Sequence, residues 1–140
     1  FVAISAGAYH TCGIMDSGKA ACWGGASFGA TSPPAGNFSS VTSGFYFSCA
    51  TDVHTQEVSC WGRLMVPSLL AGPFAALSAG YTHLCGLLSS GDVKCWGTDG
   101  DGVMEVPDVH DFVALGTASA LHVCGTSATQ GLVCWGRDNV

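Results

Sequence analysis

The tripeptide Cys22-Trp23-Gly24 recurs three times along the chain, as Cys60-Trp61-Gly62, Cys95-Trp96-Gly97 and Cys134-Trp135-Gly136. A second cysteine stands upstream of each copy, and further upstream a phenylalanine opens each unit, at Phe1, Phe38, Phe74 and Phe112. These phenylalanines are 37, 36 and 38 residues apart, so the 140 residues form four diverged repeats in register. We therefore expect a single repeat domain over 1–140, with units at 1–37, 38–73, 74–111 and 112–140.

Each repeat has the pattern of short β-strands joined by tight turns. If Cys12 lies opposite Cys22, the two strands are joined by the loop Asp16-Ser17-Gly18, and a three-residue loop that ends in glycine is a favoured hairpin. The third repeat has the same spacing, with Ser89-Ser90-Gly91 as its loop. The second and fourth repeats have poorer turn sequences, so their hairpins are predicted from the repeat alone.

The cysteines are predicted to form one disulfide within each repeat. All 8 cysteines fall at two repeat positions, and the repeat symmetry selects one pairing. The two-residue spacing of common zinc knuckles is absent. Each bridge closes a short loop and should stabilise its repeat by roughly 2–3 kcal/mol, and such bridges indicate an extracellular or cell-surface location. The predicted pairs are Cys12–Cys22, Cys49–Cys60, Cys85–Cys95 and Cys124–Cys134.

The tryptophan of each repeat must point away from the neighbouring cysteine, because adjacent strand residues face opposite sides of a sheet. Burying about 200 Å² of indole contributes about 5 kcal/mol as an upper bound. A unit of this size cannot cover the indole alone and must pack against a neighbouring unit. We therefore predict that packing between repeats is carried by Trp23, Trp61, Trp96 and Trp135.

The pattern Phe-x-x-Ile-Ser-Ala-Gly-x-x-His-Thr-Cys-Gly, followed by Gly-x-x-x-Cys-Trp-Gly, resembles the regulator of chromosome condensation (RCC1) repeat. The resemblance is to its cysteine-rich extracellular form, found in crinkly-type plant receptor kinases and in secreted microbial and algal proteins. It implies an all-β, β-propeller-type array with about four strands per blade and about seven blades in a closed propeller. Four repeats, the last ending soon after its Cys-Trp-Gly, then predict that the natural protein continues as part of a larger propeller or assembly.

The same resemblance implies that His10, His83 and His122, at one repeat position, make a structural hydrogen bond inside each hairpin. The second repeat departs from this pattern, because Phe47 stands at that position.

The composition excludes several classes of protein. Four Lys+Arg against 10 Asp+Glu give a net charge of −6, which argues against nucleic-acid binding. No apolar run approaches the ~20 residues of a membrane-spanning helix. Only 10% of the residues are charged, so the surface is expected to be covered by glycan, by other protein subunits or by further repeats of the same chain.

Three further features bear on binding sites. Asn37-Phe38-Ser39 is an N-glycosylation sequon in a Pro/Gly-rich linker. Asp99 and Asp101 lie in an acidic glycine turn that resembles a cation loop, although the spacing does not fit an EF-hand, so no metal is predicted. No catalytic constellation is present, and no cofactor is expected.

These observations favour a non-enzymatic extracellular scaffold, in which disulfide-stapled repeats mediate protein–protein assembly, for example in a surface appendage or filament. The linkers Arg63–Pro73 and Thr98–Asp111 are the expected contact face. One alternative is a carbohydrate-binding or enzyme-inhibiting propeller, although a lectin should repeat an aromatic residue in each linker and the linkers contain only Phe28. Another is the ectodomain of a larger receptor.

Overall fold

The computed structural model describes residues 1–64, 66–98, 102–116 and 121–137, and in these residues the protein is all-β. Four antiparallel sheets follow one another along the chain, one to each repeat, and we call them blades 1 to 4. Their strands are β1 (Ala3–Ala6), β2 (His10–Ile14) and β3 (Ala20–Gly24) in blade 1; β4 (Phe38–Ser43), β5 (Phe47–Asp52), β6 (Val58–Gly62) and β7 (Leu69–Leu70) in blade 2; β8 (Phe74–Ala79), β9 (His83–Leu88) and β10 (Val93–Gly97) in blade 3; and β11 (Phe112–Leu115), β12 (His122–Ser127) and β13 (Gly131–Gly136) in blade 4. The predicted all-β class and the four blades are confirmed.

The chain divides into two compact units, Phe1–Gly72 and Pro73–Val140. The first unit contains blades 1 and 2, and a 3-10 turn at Ser27–Gly29 lies in the linker between them. The second unit contains blades 3 and 4. The expectation of a single domain over all 140 residues stays a prediction.

The hairpins of blades 1 and 3 follow the predicted register. Cys12 pairs with Cys22 across β2 and β3, and the Met15 N–H donates to the Lys19 carbonyl at 2.9 Å. Cys85 pairs in the same way with Cys95. The loop glycines, Gly18 and Gly91, have φ of +82° and +94°, a conformation that glycine adopts at low cost.

Blades 2 and 4 close their hairpins by a different device, a side chain that caps the turn. In blade 2 the carboxylate of Asp52 accepts hydrogen bonds from the backbone N–H groups of His54 and Thr55, at 2.8 and 3.0 Å. In blade 4 the Ser127 hydroxyl accepts hydrogen bonds in the same way from the backbone N–H groups of Thr129 and Gln130. In blade 2 the Asx-turn takes the place of a loop glycine, and in blade 4 the Ser-turn leads into Gly131, whose φ is +77°.

The glycine of each Cys-Trp-Gly has a backbone role that is the same in all four blades. Its φ is positive at every copy, and a Cβ there would collide with the backbone of the loop before the second strand, for example with the Tyr9 carbonyl at Gly24. The residue directly after that glycine donates its N–H to the same carbonyl, as Gly25 does to Tyr9 and Arg63 does to Tyr46. The glycine of the motif therefore lets the outgoing chain lie against the first loop of the blade.

The linkers supply much of the core. In the first unit Val66 and Leu70 are buried, and Leu70 belongs to the short fourth strand of blade 2. In the second unit Val103 and Val109 are buried in one cluster with Val123 and Trp135. The linkers that were expected to form the contact face, Arg63–Pro73 and Thr98–Asp111, thus also cover the sheets, because these apolar side chains turn inward.

Candidate interaction surface

The eight cysteines form four disulfides, each within one blade. In every bridge the two Cα atoms are 4.1 Å apart across neighbouring antiparallel strands. Three of the bridged sulfurs, those of Cys12, Cys49 and Cys85, belong to fully buried residues. Each hairpin is therefore fixed covalently, and the loops at its ends start from a rigid frame.

Two of the four tryptophans join neighbouring blades. Trp61 of blade 2 is buried, and its indole N–H donates to the Ala30 carbonyl in the linker from blade 1, at 3.0 Å. Trp135 of blade 4 makes the same bond to the Val103 carbonyl in the linker from blade 3, at 3.1 Å. Trp96 is half-buried and Trp23 is exposed. Each indole also contacts the opening phenylalanine of its own blade, with ring centroids 5.6 to 6.5 Å apart.

Serines on the first strands make a second link between neighbouring blades. The Ser43 N–H of blade 2 donates to the Ser5 hydroxyl of blade 1 at 2.9 Å. Ser78 of blade 3 stands at the repeat position of Ser5, and its hydroxyl donates to the Gly116 carbonyl of blade 4 at 2.7 Å. One small polar residue therefore serves the same purpose in both units.

The hydrogen bond of His10 differs from the expectation drawn from the repeat pattern. His10 is buried, and its Nε2 lies 2.7 Å from the Ser48 hydroxyl, which belongs to blade 2 and not to the hairpin of His10. Burial lowers the pKa of His10, and a hydrogen bond with the backbone of Phe47 opposes that shift. The neutral imidazole thus forms part of the contact between blades. His122 is exposed.

The residues before the opening phenylalanines of blades 2 and 4 hold the tips of hairpins. Asn37 accepts from the Val53 N–H through its carbonyl, and its side-chain Nδ2 lies 3.3 Å from His54 Nε2. Asp111, at the same position in blade 4, accepts from the Ser127 and Thr129 hydroxyls at 2.6 and 2.7 Å, and these bonds lower its pKa. Asn37 is exposed, as a glycosylation acceptor must be.

Four aromatic side chains cluster at one end of the first unit. Tyr9 comes from the loop between β1 and β2, Phe45 and Tyr46 come from the equivalent loop of blade 2, and Phe28 comes from the linker. Tyr9 and Tyr46 stack with their ring centroids 5.4 Å apart, and the edges of Phe45 and Phe28 meet these rings. The Arg63 guanidinium lies 5.1 Å from the centre of the Phe28 ring. We call these five residues the aromatic surface.

The aromatic surface is exposed and firmly held. Tyr9 is 56% and Phe28 is 59% exposed. The carbonyls of Tyr9 and Tyr46 accept hydrogen bonds from the first residues of the linkers, at 2.7 and 2.9 Å. Phe28 has a φ of +59°, a left-handed conformation that is costly for a phenylalanine and that the surrounding contacts must maintain.

Arg63 gives the aromatic surface its charge. Its side chain is exposed, and it forms no ion pair with any carboxylate in the described part of the chain. A guanidinium over an aromatic ring keeps its N–H groups directed outward for a carboxylate or a carbonyl. The surface thus combines exposed rings with one unpaired cation.

Neither a metal centre nor a membrane span was found in the residues that the structure describes. No three His, Cys, Asp or Glu side chains come together there in a way that would hold an ion. Asp99 and Asp101, the candidate cation ligands, lie outside the described residues. No helix in the described ranges is long and apolar enough to cross a membrane.

Comparison with known proteins identifies the repeats. The family model for the regulator of chromosome condensation (RCC1) repeat matches residues 1–30 and 74–103. The chain therefore contains RCC1 repeats. Its structure is similar to the ectodomain of the receptor kinase CR4 from Physcomitrella patens, with a TM-score of 0.82 and 31% identity over 96% of this chain. This RCC1-repeat chain spans 38% of that ectodomain.

Two further structures support the fold of this RCC1-repeat chain. The crinkly ectodomain of the Arabidopsis thaliana receptor kinase ACR4 has a TM-score of 0.75 and 28% identity, over 95% of this chain and 48% of that one. Prp20p from Saccharomyces cerevisiae, which binds Gsp1p and histones, has a TM-score of 0.77 and 16% identity, over 95% of this chain and 43% of that one. At that identity the likeness to Prp20p concerns the fold alone.

The aromatic surface was not predicted from the sequence, because repeated aromatic residues were expected in the linkers. The repeated aromatics stand instead in the loop before the second strand, where Tyr9 and Tyr46 share one repeat position and Phe45 and Tyr81 share another. The signal was present in the aligned repeats. What the alignment did not show is that these loops of blades 1 and 2 meet.

Proposed function

We propose that this chain is a non-enzymatic extracellular scaffold that binds protein partners through rigid loops. Four disulfides are stable in an oxidising compartment, and the similarity to two receptor-kinase ectodomains supports the same location. Stapled hairpins keep the loops in one conformation, so little ordering entropy is lost when a partner binds.

The observation that carries this proposal is the aromatic surface. Tyrosine, phenylalanine and arginine are enriched at protein interfaces, and tyrosine and arginine are among the residues that dominate binding energy there. Exposed rings beside an unpaired guanidinium suit a protein segment that presents apolar side chains next to a carboxylate. The net charge of −6 makes Arg63 a rare attractive site for such an acidic segment.

A peptide-display selection against the folded chain tests the proposal. We expect the enriched peptides to combine apolar residues with Asp or Glu, and to lose at least about tenfold in affinity to Tyr46→Ser and to Arg63→Glu chains. Val113→Ser is the matched control, because Val113 is also an exposed apolar residue but lies in blade 4. Binders that are equally weakened by Val113→Ser, or unaffected by the two surface variants, would contradict the proposed site.

Carbohydrate is the competing ligand for the same surface, since Tyr9 and Tyr46 stand at one repeat position, as a lectin would have them. Stacked on one another, the two rings expose less of their faces to a sugar, so we favour protein. A glycan array probed with the same variants separates the two functions. Sugar binding that is lost in the Tyr46→Ser chain would replace the protein proposal.

The other alternative is that these residues are part of the ectodomain of a larger receptor. The similarity to CR4 and ACR4 supports it, because this chain spans less than half of either ectodomain. The coding sequence on both sides of these 140 residues distinguishes a receptor kinase from a protein built of repeats alone.

We also propose that Asn37 carries an N-linked glycan. Its side chain is exposed at the start of blade 2, and the sequon serine, Ser39, is exposed as well. In the chain secreted from eukaryotic cells, peptide N-glycosidase should lower the mass by one glycan, and the Asn37→Gln chain should show no such loss. An unmodified Asn37 in that material would contradict the proposal.

A further inference from the structure

The third strand of a blade has an outer edge, and blade 2 covers this edge with a fourth strand. There β7 pairs with β6 in antiparallel register, with Val58 opposite Leu70. The Cys60 N–H donates to the Ser68 carbonyl at 2.9 Å. Val58 and Cys60, whose backbone groups face β7, are 0% and 6% exposed. The outer edge of this third strand thus accepts another strand through its backbone.

The third strand of blade 1, β3, presents the same backbone groups at its outer edge. The Met15 N–H bonds to the Lys19 carbonyl across the hairpin, and bonded pairs alternate with unbonded pairs along an antiparallel ladder. Cys12 and Cys22, three pairs further on, are therefore an unbonded pair, which agrees with their Cα separation of 4.1 Å. The backbone N–H and carbonyl groups of Cys22, and those of Ala20, consequently point outward from the sheet.

This edge of β3 is open. The strand order of blade 1 is β1-β2-β3, so no strand in the described parts of the chain pairs with the outer side of β3. Ala20 and Cys22 are partly exposed, whereas their counterparts Val58 and Cys60 are buried. The strand Ala20–Gly24 contains no charged residue and no proline, and its register has no bulge. It therefore lacks the features that usually protect an edge strand from pairing.

The linker that follows β3 does not cover the open edge. In blade 2 the fourth strand comes from the linker after β6, so residues 25–37 are the corresponding segment of blade 1. They are held elsewhere, because the Ala30 carbonyl accepts the indole N–H of Trp61 and Phe28 belongs to the aromatic surface. Pro33 and Pro34 also have no backbone N–H to give to a ladder.

We propose that the open edge of β3 binds an extended segment of a partner protein by strand addition. The outward groups of Ala20 and Cys22 provide the backbone bonds and fix the register, as in other complexes of this kind. Leu70 lies opposite Val58 and is 6% exposed, so the partner residue opposite Ala20 is a large aliphatic one. The residue before it faces away, as the 56% exposed Leu69 does. This proposal does not rest on the aromatic surface, which uses other residues.

A peptide with the sequence of residues 66–71, Val-Pro-Ser-Leu-Leu-Ala, is the probe, because it contains the strand that the equivalent edge of blade 2 accepts. It is added at up to about 2 mM to the isotope-labelled folded chain, a range that detects even a millimolar dissociation constant. The peptide should shift the amide resonance of Cys22 and slow the hydrogen exchange of that amide.

Two methylated peptides form a matched pair for the backbone bonds. In blade 2 the nitrogen of Leu70 faces β6, whereas the nitrogen of Leu69 faces away from it. A methyl group on the nitrogen of the second leucine should weaken binding roughly tenfold, because it removes a donor at the edge. The same methyl group on the first leucine should leave the affinity unchanged.

Two variants of the chain test the edge from the other side. Ala20→Pro removes an outward N–H at the first residue of β3, a position where a strand tolerates proline. It should weaken binding of the probe roughly tenfold. Ala20→Val is the matched control, because it keeps the N–H and supplies the residue that blade 2 has at this position, and it should bind the probe as the wild type does. Tyr46→Ser, on the aromatic surface, should also bind it normally.

Three results would overturn the proposal. They are no change at the Cys22 amide with about 2 mM probe, equal affinity for the two methylated peptides, and loss of binding in the Tyr46→Ser chain. The last would assign the peptide to the aromatic surface. A chain that gains molar mass with concentration, and loses that gain in the Ala20→Pro variant, would show that a second copy occupies the edge instead. The methylated peptides need no variant of the chain, so they decide the question even where Ala20→Pro fails to fold.

Discussion

Trp23 and Trp61 have the same neighbours in sequence and different surroundings in the structure. Trp61 packs on blade 1 and donates to the Ala30 carbonyl, whereas Trp23 is exposed. Trp61→Ala should therefore lower the free energy of unfolding by about 3–5 kcal/mol. Trp23→Ala should cost roughly 1 kcal/mol or less, as exposed positions do. Guanidinium unfolding at a low protein concentration measures both, and equal losses would contradict the stacking of blade 2 on blade 1.

His10 makes stability depend on pH in a defined direction. Burial lowers its pKa in the folded chain below the ordinary value of 6.5, so the unfolded chain binds the proton first as the pH falls. Its contribution is complete above about pH 6.5 and is lost as the pH falls toward the lowered folded pKa.

His10→Phe is the matched variant for this effect, because Phe47 occupies the same position in blade 2. We expect the variant to lose less stability than the wild type between pH 7 and pH 5, as measured by urea unfolding at each pH. His110, whose pKa is raised by Asp92 and Asp108, remains in both chains and cancels in the comparison. Parallel pH profiles would show that His10 does not titrate as described.

At the scale of the element, Asp111 holds the hairpin tip of blade 4. Its carboxylate accepts from Ser127 and from the backbone and hydroxyl of Thr129, and these bonds keep its pKa below the ordinary 3.8. The tip should be protected above that value and should loosen as the pH falls through the lowered folded pKa.

Hydrogen exchange at the Thr129 amide measures the protection of this tip. Asp111→Ala should speed exchange at every pH, because the acceptor is lost. Asp111→Asn should remove the acid dependence, since the amide does not titrate and Asn37 already occupies the equivalent position in blade 2. Unchanged exchange in the alanine variant would show that the backbone turn alone closes the hairpin.

The hairpins also show which local features could be read from the sequence. Gly18 and Gly91 mark the turns of blades 1 and 3 because glycine adopts their positive φ easily, and these turns were predicted. The turns of blades 2 and 4 depend on caps from Asp52 and Ser127, which are visible only as side-chain contacts. The hydrogen bond of His10 was expected inside its own hairpin, but it joins His10 to Ser48 of blade 2, a contact that no pattern within one repeat shows.

For the whole molecule, the repeat of Cys-Trp-Gly predicted the all-β class, the blades and the family, because a repeat must bury its apolar face on its neighbour. The roles of the linkers were harder to predict. Val66 and Val103 lie in irregular segments and Leu70 in a two-residue strand, and only packing shows that they turn inward. The aromatic surface depends in turn on two loops meeting, which no pattern within one repeat specifies.

Each blade is a separately stapled sheet, and the stacking of these sheets builds the scaffold. Peptide mapping of the native chain under non-reducing conditions tests this most directly. We expect four bridges, each with a gain of two hydrogens on reduction: Cys12–Cys22, Cys49–Cys60, Cys85–Cys95 and Cys124–Cys134. A bridge between two blades, or a free thiol in the native protein, would contradict it.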